Sequence, residues 1–153
     1  MKKNINVLVL VIFFCSSCGF ESLHSSKKPN FIIEDIILED QDLISRAIYT
    51  NLKKLSISES KNLDKFTISV KSKKELIVTA KDNKGDPKNY VMRILVNLKF
   101  YNNKVLIKQK SFTEQINYKN RSNKFNLKLY EKNIEKDILK QINKSINLYI
   151  LKT

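Results

Sequence analysis

The sequence predicts an α+β fold, a two-layer sandwich in which two helices pack on one face of a four-stranded mixed sheet in the order β-α-β-β-β-α. Three observations carry this prediction. A short run of branched residues precedes an amphipathic segment, later segments alternate apolar and polar residues with a period of two, and a long segment with helical spacing follows them. With both helices on one face, the other face has no cover from within the chain.

The first half of the domain predicts a strand, a helix and a second strand. The run FIIEDIIL at residues 31–38 is short and rich in branched residues, which favours a strand. Apolar residues at helical spacing then predict a helix over 41–55, with Asp40 as its N-cap. Alternation predicts a strand over 65–81 with a bulge in its polar middle, residues 72–75. Two strands joined by a turn at 73–74 remain possible.

The clearest strand follows the turn segment DNKGDP, because every second residue from Tyr90 to Phe100 is apolar. A two-residue turn at Asn102-Asn103 would close a hairpin with an edge strand over 104–118. That turn fixes a register. It places Phe100 opposite Val105, Leu98 opposite Ile107, Lys99 opposite Leu106, Asn97 opposite Lys108, Leu95 opposite Lys110 and Arg93 opposite Phe112.

A final helix is predicted over 124–151, capped by Ser122 or Asn123. At 1.5 Å per residue it is about 40 Å long, enough to cross the whole sheet. Its apolar side consists of Leu127, Tyr130, Ile134, Ile138, Ile142, Ile146 and Tyr149 or Ile150. A second side carries lysines and is interpreted as a solvated face.

The segment MKKNINVLVLVIFFCSSC has the order of a bacterial lipoprotein signal. We expect residues 1–17 to be removed, Cys18 to carry the acyl chains that bind the membrane, and residues 18–30 to tether a domain of residues 31–153. Cys15 stands where such signals usually have Leu, but bulky Phe14 makes cleavage before Cys15 unfavourable. The apolar run is shorter than the about 20 residues that span a bilayer. A plain signal peptide and an uncleaved anchor are the alternatives.

The composition narrows the function. Loss of Lys2 and Lys3 with the signal lowers the formal charge from +14 to +12, which favours polyanionic partners. Both cysteines lie in the signal and its cleavage site and the single histidine is His24, so we expect no metal site, no catalytic triad and no cofactor besides the lipid on Cys18. Enzyme motifs are missing, and arginine is too scarce to favour nucleic acid.

The uncovered face of the sheet is predicted to mix cations with apolar groups, a pairing that suits a phosphorylated glycolipid. A solvated face whose lysines prevent aggregation is an equally good interpretation. The cations are Lys71, Lys73, Lys81, Arg93, Lys99, Lys108 and Lys110, and the apolar residues are Ile77, Val91, Leu95, Tyr101, Leu106 and Phe112.

Three motifs, in the same order and at similar spacing, make the chain resemble the LPS-assembly lipoprotein (LptE) family. They are Cys18-Gly19-Phe20 followed by Leu23, the helix segment LISRAIYTNL, and strands around Tyr90 and Tyr118 that lead into a helix containing KNIEKDILKQI. The leader differs from the family pattern in having Ser22 and His24, where Pro and Tyr are common. Together these segments span nearly all of the mature chain.

The resemblance implies a non-enzymatic outer-membrane lipoprotein that faces the periplasm. It implies that the protein plugs the β-barrel that translocates lipopolysaccharide, helps this barrel to assemble, and binds lipopolysaccharide itself. It implies one basic contact at the turn between the second and third strands, here Lys81 or Lys84, and another near the start of the last helix, here Lys128 or Lys132. Arg93 and Lys99 of the uncovered face are further candidates. The alternative is an auxiliary or pilot lipoprotein of another envelope system, such as a lipid-transport ABC system or a secretin.

Overall fold

The computed structural model describes residues 29–56 and 63–152 of the chain and contains six elements. They are β1 (Phe31–Leu38), α1 (Leu43–Leu55), β2 (Asp64–Lys81), β3 (Pro87–Asn102), β4 (Val105–Lys119) and α2 (Lys124–Ile150). The predicted order of elements is confirmed. The signal peptide, the lipidation of Cys18 and most of the tether lie outside the described residues, so those expectations stay predictions.

The four strands form one mixed sheet in the order β1-β2-β3-β4. β1 runs parallel to β2, whereas β2, β3 and β4 are antiparallel neighbours. β1 pairs only with the first part of β2, from Asp64 to Val70. Both helices pack on the same face as predicted, and we call the opposite side the open face.

The core lies between the helices and the even-numbered residues of the central strands. Ile94, Val96 and Leu98 of β3 are fully buried, because their strict alternation places them all on the helix side. Burying one such side chain contributes roughly 1.5–3 kcal/mol. The remaining fully buried large residues are Ile48, Leu52, Ile68, Val70, Met92, Ile138, Ile142, Ile146 and Ile150. The predicted inner face of the sheet and the predicted apolar side of α2 are therefore confirmed.

The cap of α1 differs from the prediction. Asp42, not Asp40, is the N-cap, and its Oδ1 accepts the backbone N–H of Ser45 at 2.6 Å. Asp40 instead accepts the backbone N–H of Ser72 at 2.9 Å and so connects the loop before α1 to the middle of β2. α2 begins as expected, since Asn123 accepts the N–H groups of Phe125 and Asn126.

β2 is one continuous strand, so the alternative of two strands with a turn at 73–74 is wrong. The predicted bulge is also misplaced, because residues 72–75 pair regularly with β3. The register shifts instead between Val78 and Lys81, next to the β2–β3 turn. Polar side chains alone do not interrupt a strand, and in β2 the irregularity lies where the hairpin bends into its turn.

The β3–β4 turn is displaced by one residue from the prediction. Asn103 and Lys104 have φ values of 47° and 67°, so they are the two central residues of the turn, and Asn102 pairs with Val105. A further register shift follows near Phe100, after which Leu98 opposes Lys110. From Lys108 onward the predicted register is therefore wrong by an odd number of residues, which moves these β4 side chains to the other face, whereas Val105 and Leu106 keep their predicted faces. Phe112, Lys108 and Lys110 consequently lie on the helix side, opposite Val96, Phe100 and Leu98.

Candidate functional site

The open face keeps part of the predicted set of cations and apolar groups. Lys71, Lys73, Arg93 and Lys99 alternate with the buried residues of β2 and β3, so they lie on this face, together with Ile77, Val91, Leu95, Tyr101 and Leu106. Lys108 and Lys110 do not belong to it. Their ammonium groups lie 4.8 and 5.8 Å from the centre of the Tyr149 ring on α2.

Carboxylates neutralise most of these open-face cations. Glu75 lies between Lys73, at 2.8 Å, and Arg93, at 3.5 Å, and the Lys73 contact is the main reason why the pKa of Glu75 is lowered. Arg93 also donates to Gln115 at 3.1 Å. Because these groups already have partners, a phosphate would have to displace a carboxylate in order to bind here.

Lys99 is paired in the same way. Its ammonium group lies 2.9 Å from Glu39, which also accepts the hydroxyl of Ser69 at 2.6 Å. The Ser69 hydrogen bond and the Lys99 cation hold the pKa of Glu39 below its usual value, and Glu39 in turn raises the pKa of Lys99. Lys99 therefore connects the end of β1 to the sheet, a structural role that the sequence did not indicate.

A second group of cations lies where the β2–β3 turn meets the connection from β4 to α2. Asn120 joins these two segments, since its backbone N–H donates to the Lys88 carbonyl at 2.9 Å and its amide donates to the Pro87 carbonyl at 2.6 Å. Only residues 120–123 separate the end of β4 from the start of α2. We call this region the distal end; its cations are Lys81, Lys84, Lys88, Lys119, Arg121, Lys124 and Lys128.

Few carboxylates oppose this charge. Asp82 and Asp86 lie in the turn itself, and the carboxylate of Asp82 is occupied by the backbone N–H groups of Lys84 and Asp86, at 2.8 and 2.9 Å. Gly85 has a φ of +86°, a conformation that glycine adopts without strain and that lets the turn close tightly. Lys81 and Lys84 are both exposed.

Apolar side chains stand beside these cations. Phe125 and Leu129 are large and exposed, and because they are four residues apart they lie on one side of the first turns of α2. Lys124 and Lys128 have the same spacing and are exposed as well. The N-terminus of α2, whose macrodipole favours negative charge, points to this same end of the molecule. The distal end thus offers cations and apolar surface within a few residues of each other.

The structure brings together some of the predicted contacts but not all of them. Lys81 and Lys84 lie at the distal end, and Lys128 lies about 6 Å along α2 from the first residue of the helix. Lys132 lies one further turn along α2 and is exposed. Arg93 and Lys99 project from the open face, so they do not share a site with residues of α2.

The sequence interpretation missed four distal cations: Lys88, Lys119, Arg121 and Lys124. A signal was available for Lys119 alone, because antiparallel pairing of β3 with β4 must return the end of β4 to the β2–β3 turn. The guanidinium of Arg121 lies 3.9 Å from the centre of the Tyr130 ring, which connects this cation to α2. Tyr130 in turn packs edge-on against Tyr118, which donates to Glu131 at 2.7 Å. Burial and this carboxylate raise the pKa of Tyr118.

Within residues 29–56 and 63–152, no three His, Cys, Asp or Glu side chains lie together as a metal ion would require. In the same part of the chain, neither helix combines the length and the apolar character needed to cross a membrane.

No family model and no curated protein matches this sequence. Solved structures share its fold. A minor lipoprotein from Acinetobacter baumannii is 12% identical with a TM-score of 0.58, covering 80% of this chain and 93% of that chain. An uncharacterized lipoprotein B from Nitrosomonas europaea is 11% identical with a TM-score of 0.57, and the match covers 84% of this chain and 87% of that chain. Rare lipoprotein B from Shewanella oneidensis is 10% identical with a TM-score of 0.50, and the match covers 75% of this chain and 95% of that chain. At such identities the likeness establishes the fold alone, and that fold occurs in several bacterial lipoproteins.

Proposed function

We propose that this chain is an outer-membrane lipoprotein, anchored through acyl chains on Cys18, that binds lipopolysaccharide at the distal end and acts with the β-barrel that translocates lipopolysaccharide. It is a binding and assembly component and not an enzyme. The family resemblance of the sequence motivates the role. The likeness of the fold to bacterial lipoproteins and the signal-like segment before Cys18 support the envelope location.

The observation that carries the proposal is the meeting of cations with exposed apolar groups at one end of the sandwich. Lipopolysaccharide carries phosphates beside acyl chains, and lysines at such an end provide charge-assisted hydrogen bonds to the phosphates. Phe125 and Leu129 offer apolar surface for the chains. The open face suits this ligand less well, because Arg93 and Lys99 already pair with Glu75 and Glu39.

The binding test compares two double charge reversals in the chain from Gly19 to Thr153, which retains every described residue. Lys81→Glu with Lys84→Glu should weaken lipopolysaccharide binding at least about tenfold, since each lost charged hydrogen bond is worth roughly 1.5–3 kcal/mol. Lys140→Glu with Lys144→Glu is the matched control, because it changes the net charge equally. Its first residue, Lys140, lies about 24 Å along α2 from Lys124. Binding of the parent should also fall as salt rises.

Equal losses in the two double variants would mean that the overall positive field binds the ligand and that the distal end is no site. Undetectable binding by the parent at low salt would remove the lipopolysaccharide site and leave only the role within the barrel.

That role has its own test. The full-length protein should copurify from detergent-solubilised membranes with a large outer-membrane barrel, identified by mass, and copurification with an inner-membrane transporter or a secretin would favour the alternative role.

A further inference from the structure

Three consecutive apolar side chains are exposed where β3 turns into β4. Val105, Leu106 and Ile107 are 62%, 49% and 57% exposed. Because Val105 and Leu106 are neighbours in β4, their side chains leave opposite faces of the hairpin, and these exposed fractions mean that neither face is covered. Single exposed apolar residues are common on proteins, whereas contiguous ones mark contact surfaces. We call residues 102–107 the hairpin tip.

Lysines stand beside the hairpin tip and keep their charge available. Lys104 is a central residue of the turn, Lys108 and Lys110 follow the apolar stretch, and all three are exposed. In the described part of the chain, none of them forms an ion pair with a carboxylate, and Lys108 and Lys110 instead lie over the ring of Tyr149. They differ in this from Lys99 on the open face, which is paired. An anionic partner could therefore bind here without displacing a carboxylate.

The hairpin tip lies at the end of the sheet where the chain from Cys18 enters the domain. Phe31 is the first residue of β1, and its ring centre is 6.3 Å from that of Phe100, close to the end of β3. We call this the proximal end, because it is opposite the distal end. Fully extended, residues 18–28 span at most about 40 Å. Acyl chains on Cys18 would therefore keep the proximal end near the membrane surface.

Charge distinguishes the two edges of the proximal end. Glu34 and Asp35 lie on β1, and Asp64 begins β2, so these carboxylates are at least two strand spacings, about 10 Å, from β4. An anionic lipid surface would be repelled at that edge and attracted at the edge with the hairpin tip. The lipid that fits the exposed apolar residues is therefore also favoured by the charges around them.

We propose that the hairpin tip rests on the anionic lipid surface that carries the acyl anchor. Val105, Leu106 and Ile107 enter the headgroup region, and the neighbouring lysines contact lipid phosphates. This second attachment goes beyond the proposed function, from which it takes only the anchor on Cys18, and it does not depend on the lipopolysaccharide site. It would orient the domain, because the 16 residues of β3 hold the distal end roughly 50 Å from the proximal end.

The test uses the chain from Cys18 to Thr153, coupled to a maleimide lipid through Cys18, its only cysteine. The vesicles contain phosphatidylcholine and phosphatidylglycerol. The sequence has no tryptophan, so one introduced Trp reports its own surroundings. Leu106→Trp places it at the hairpin tip. Leu76→Trp is the matched control, because Leu76 is 50% exposed, as against 49% for Leu106, and pairs with Met92, about 30 Å from the tip.

Bromine on the lipid acyl chains quenches a Trp that enters the bilayer. Brominated lipid should lower the fluorescence of Leu106→Trp at least about twofold and that of Leu76→Trp by less than about a tenth. Vesicles of phosphatidylcholine alone should quench Leu106→Trp less, since the lysines then lose their anionic partner.

Charge reversal tests the lysines separately. In the Leu106→Trp chain, Lys104→Glu with Lys108→Glu should remove at least about half of the quenching, because two attractive charges become repulsive. Lys136→Glu with Lys140→Glu is the control, since it changes the net charge equally at exposed residues of α2 and should leave the quenching unchanged. Circular dichroism checks that each variant is folded.

Four results would overturn the inference. The first is equal quenching of Leu106→Trp and Leu76→Trp, which means that the domain has no preferred face toward the lipid. The second is no quenching of Leu106→Trp. The third is equal quenching in the two charge-reversed variants. The fourth is a blue-shifted Leu106→Trp emission without vesicles together with a dimer in sedimentation, which means that a second copy covers the tip.

These results are separate from those that test the proposed function. The maleimide lipid supplies the anchor, so quenching at the tip does not require that the cell acylates Cys18. It also does not require that lipopolysaccharide binds at the distal end. A failure of the tip contact therefore leaves the proposed function standing, and a failure of the proposed function leaves the tip contact measurable.

Discussion

Replacing Phe112 by Ala tests the register of the β3–β4 hairpin, which decides the face on which the β4 side chains from Lys108 onward lie. Phe112 is opposite Val96 on the helix side, is 8% exposed, and has its ring centre 5.8 Å from that of Tyr149. Removing a buried Phe side chain costs about 3–5 kcal/mol. Because β4 is an edge strand whose neighbours can partly fill the space, we take the lower end, about 3 kcal/mol.

Thermal and urea unfolding of the chain from Gly19 to Thr153, followed by circular dichroism, measures this loss. For a domain of this size, about 3 kcal/mol corresponds to a fall in Tm of roughly 10 °C. Leu106→Ala is the control, since Leu106 is 49% exposed on the open face opposite Tyr101 and should cost about 1 kcal/mol or less. If Phe112→Ala stays within about 1 kcal/mol of the parent, the register that the sequence predicted is the better one, because that register leaves Phe112 on the open face.

The remaining predictions concern the core, two titrating groups and the lipid. Ile94→Asp should prevent folding, because it buries an unpaired charge, whereas Arg93→Ala on the open face should lower the stability by about 1 kcal/mol or less. Circular dichroism shows which variant is folded. If Arg93→Ala unfolds the domain and Ile94→Asp does not, the two faces of the sheet are assigned the wrong way round. Glu39 has a folded pKa below 4.5, so its stabilisation is complete above that pH and is lost as the pH falls through the folded pKa. Glu39→Gln should therefore flatten the acid limb of the stability curve in urea unfolding, and equal slopes for parent and variant would contradict the assignment. Tyr118 has a raised pKa, so its contribution is complete below 10.0 and is lost at higher pH. In a spectrophotometric titration one of the six tyrosines should ionise after the others, and Tyr118→Phe should remove that late phase. Mass spectrometry of the mature protein should find Cys18 acylated at the N-terminus, and a chain that retains residues 1–17 would contradict the predicted anchor.

The candidate site was predictable only in part. The turn lysines Lys81 and Lys84 could be identified from the family resemblance and from the strong turn signal beside them. Lys88 and Arg121 could not be identified in this way, because the sequence pattern indicates only an ordinary strand start around Lys88 and a loop around Arg121. What makes them neighbours is the Asn120 contact to Lys88 and Pro87, a long-range hydrogen bond with no sequence signature.

The sequence by itself determined the order of the elements and the buried side of each, because these depend on local periodicity. Every second residue of β3 from Met92 to Phe100 is buried, as its pattern predicts, and Ile134, Ile138 and Ile142 line the buried side of α2 for the same reason. Side-chain direction in a regular helix or strand repeats with a fixed period, so one apolar residue on the core side fixes the direction of the others.

Only the tertiary structure decided which elements meet and in what register. The turn lies at Asn103-Lys104 and not at Asn102-Asn103, and one further irregularity follows it. These two changes are enough to move Phe112 from the open face into the core. Several turn positions were compatible with the Asn-rich sequence, because Asn tolerates the positive φ that such turns require. Packing distinguishes them, since only the observed register buries Phe112 against Tyr149, and burying a Phe side chain contributes roughly 1.5–3 kcal/mol.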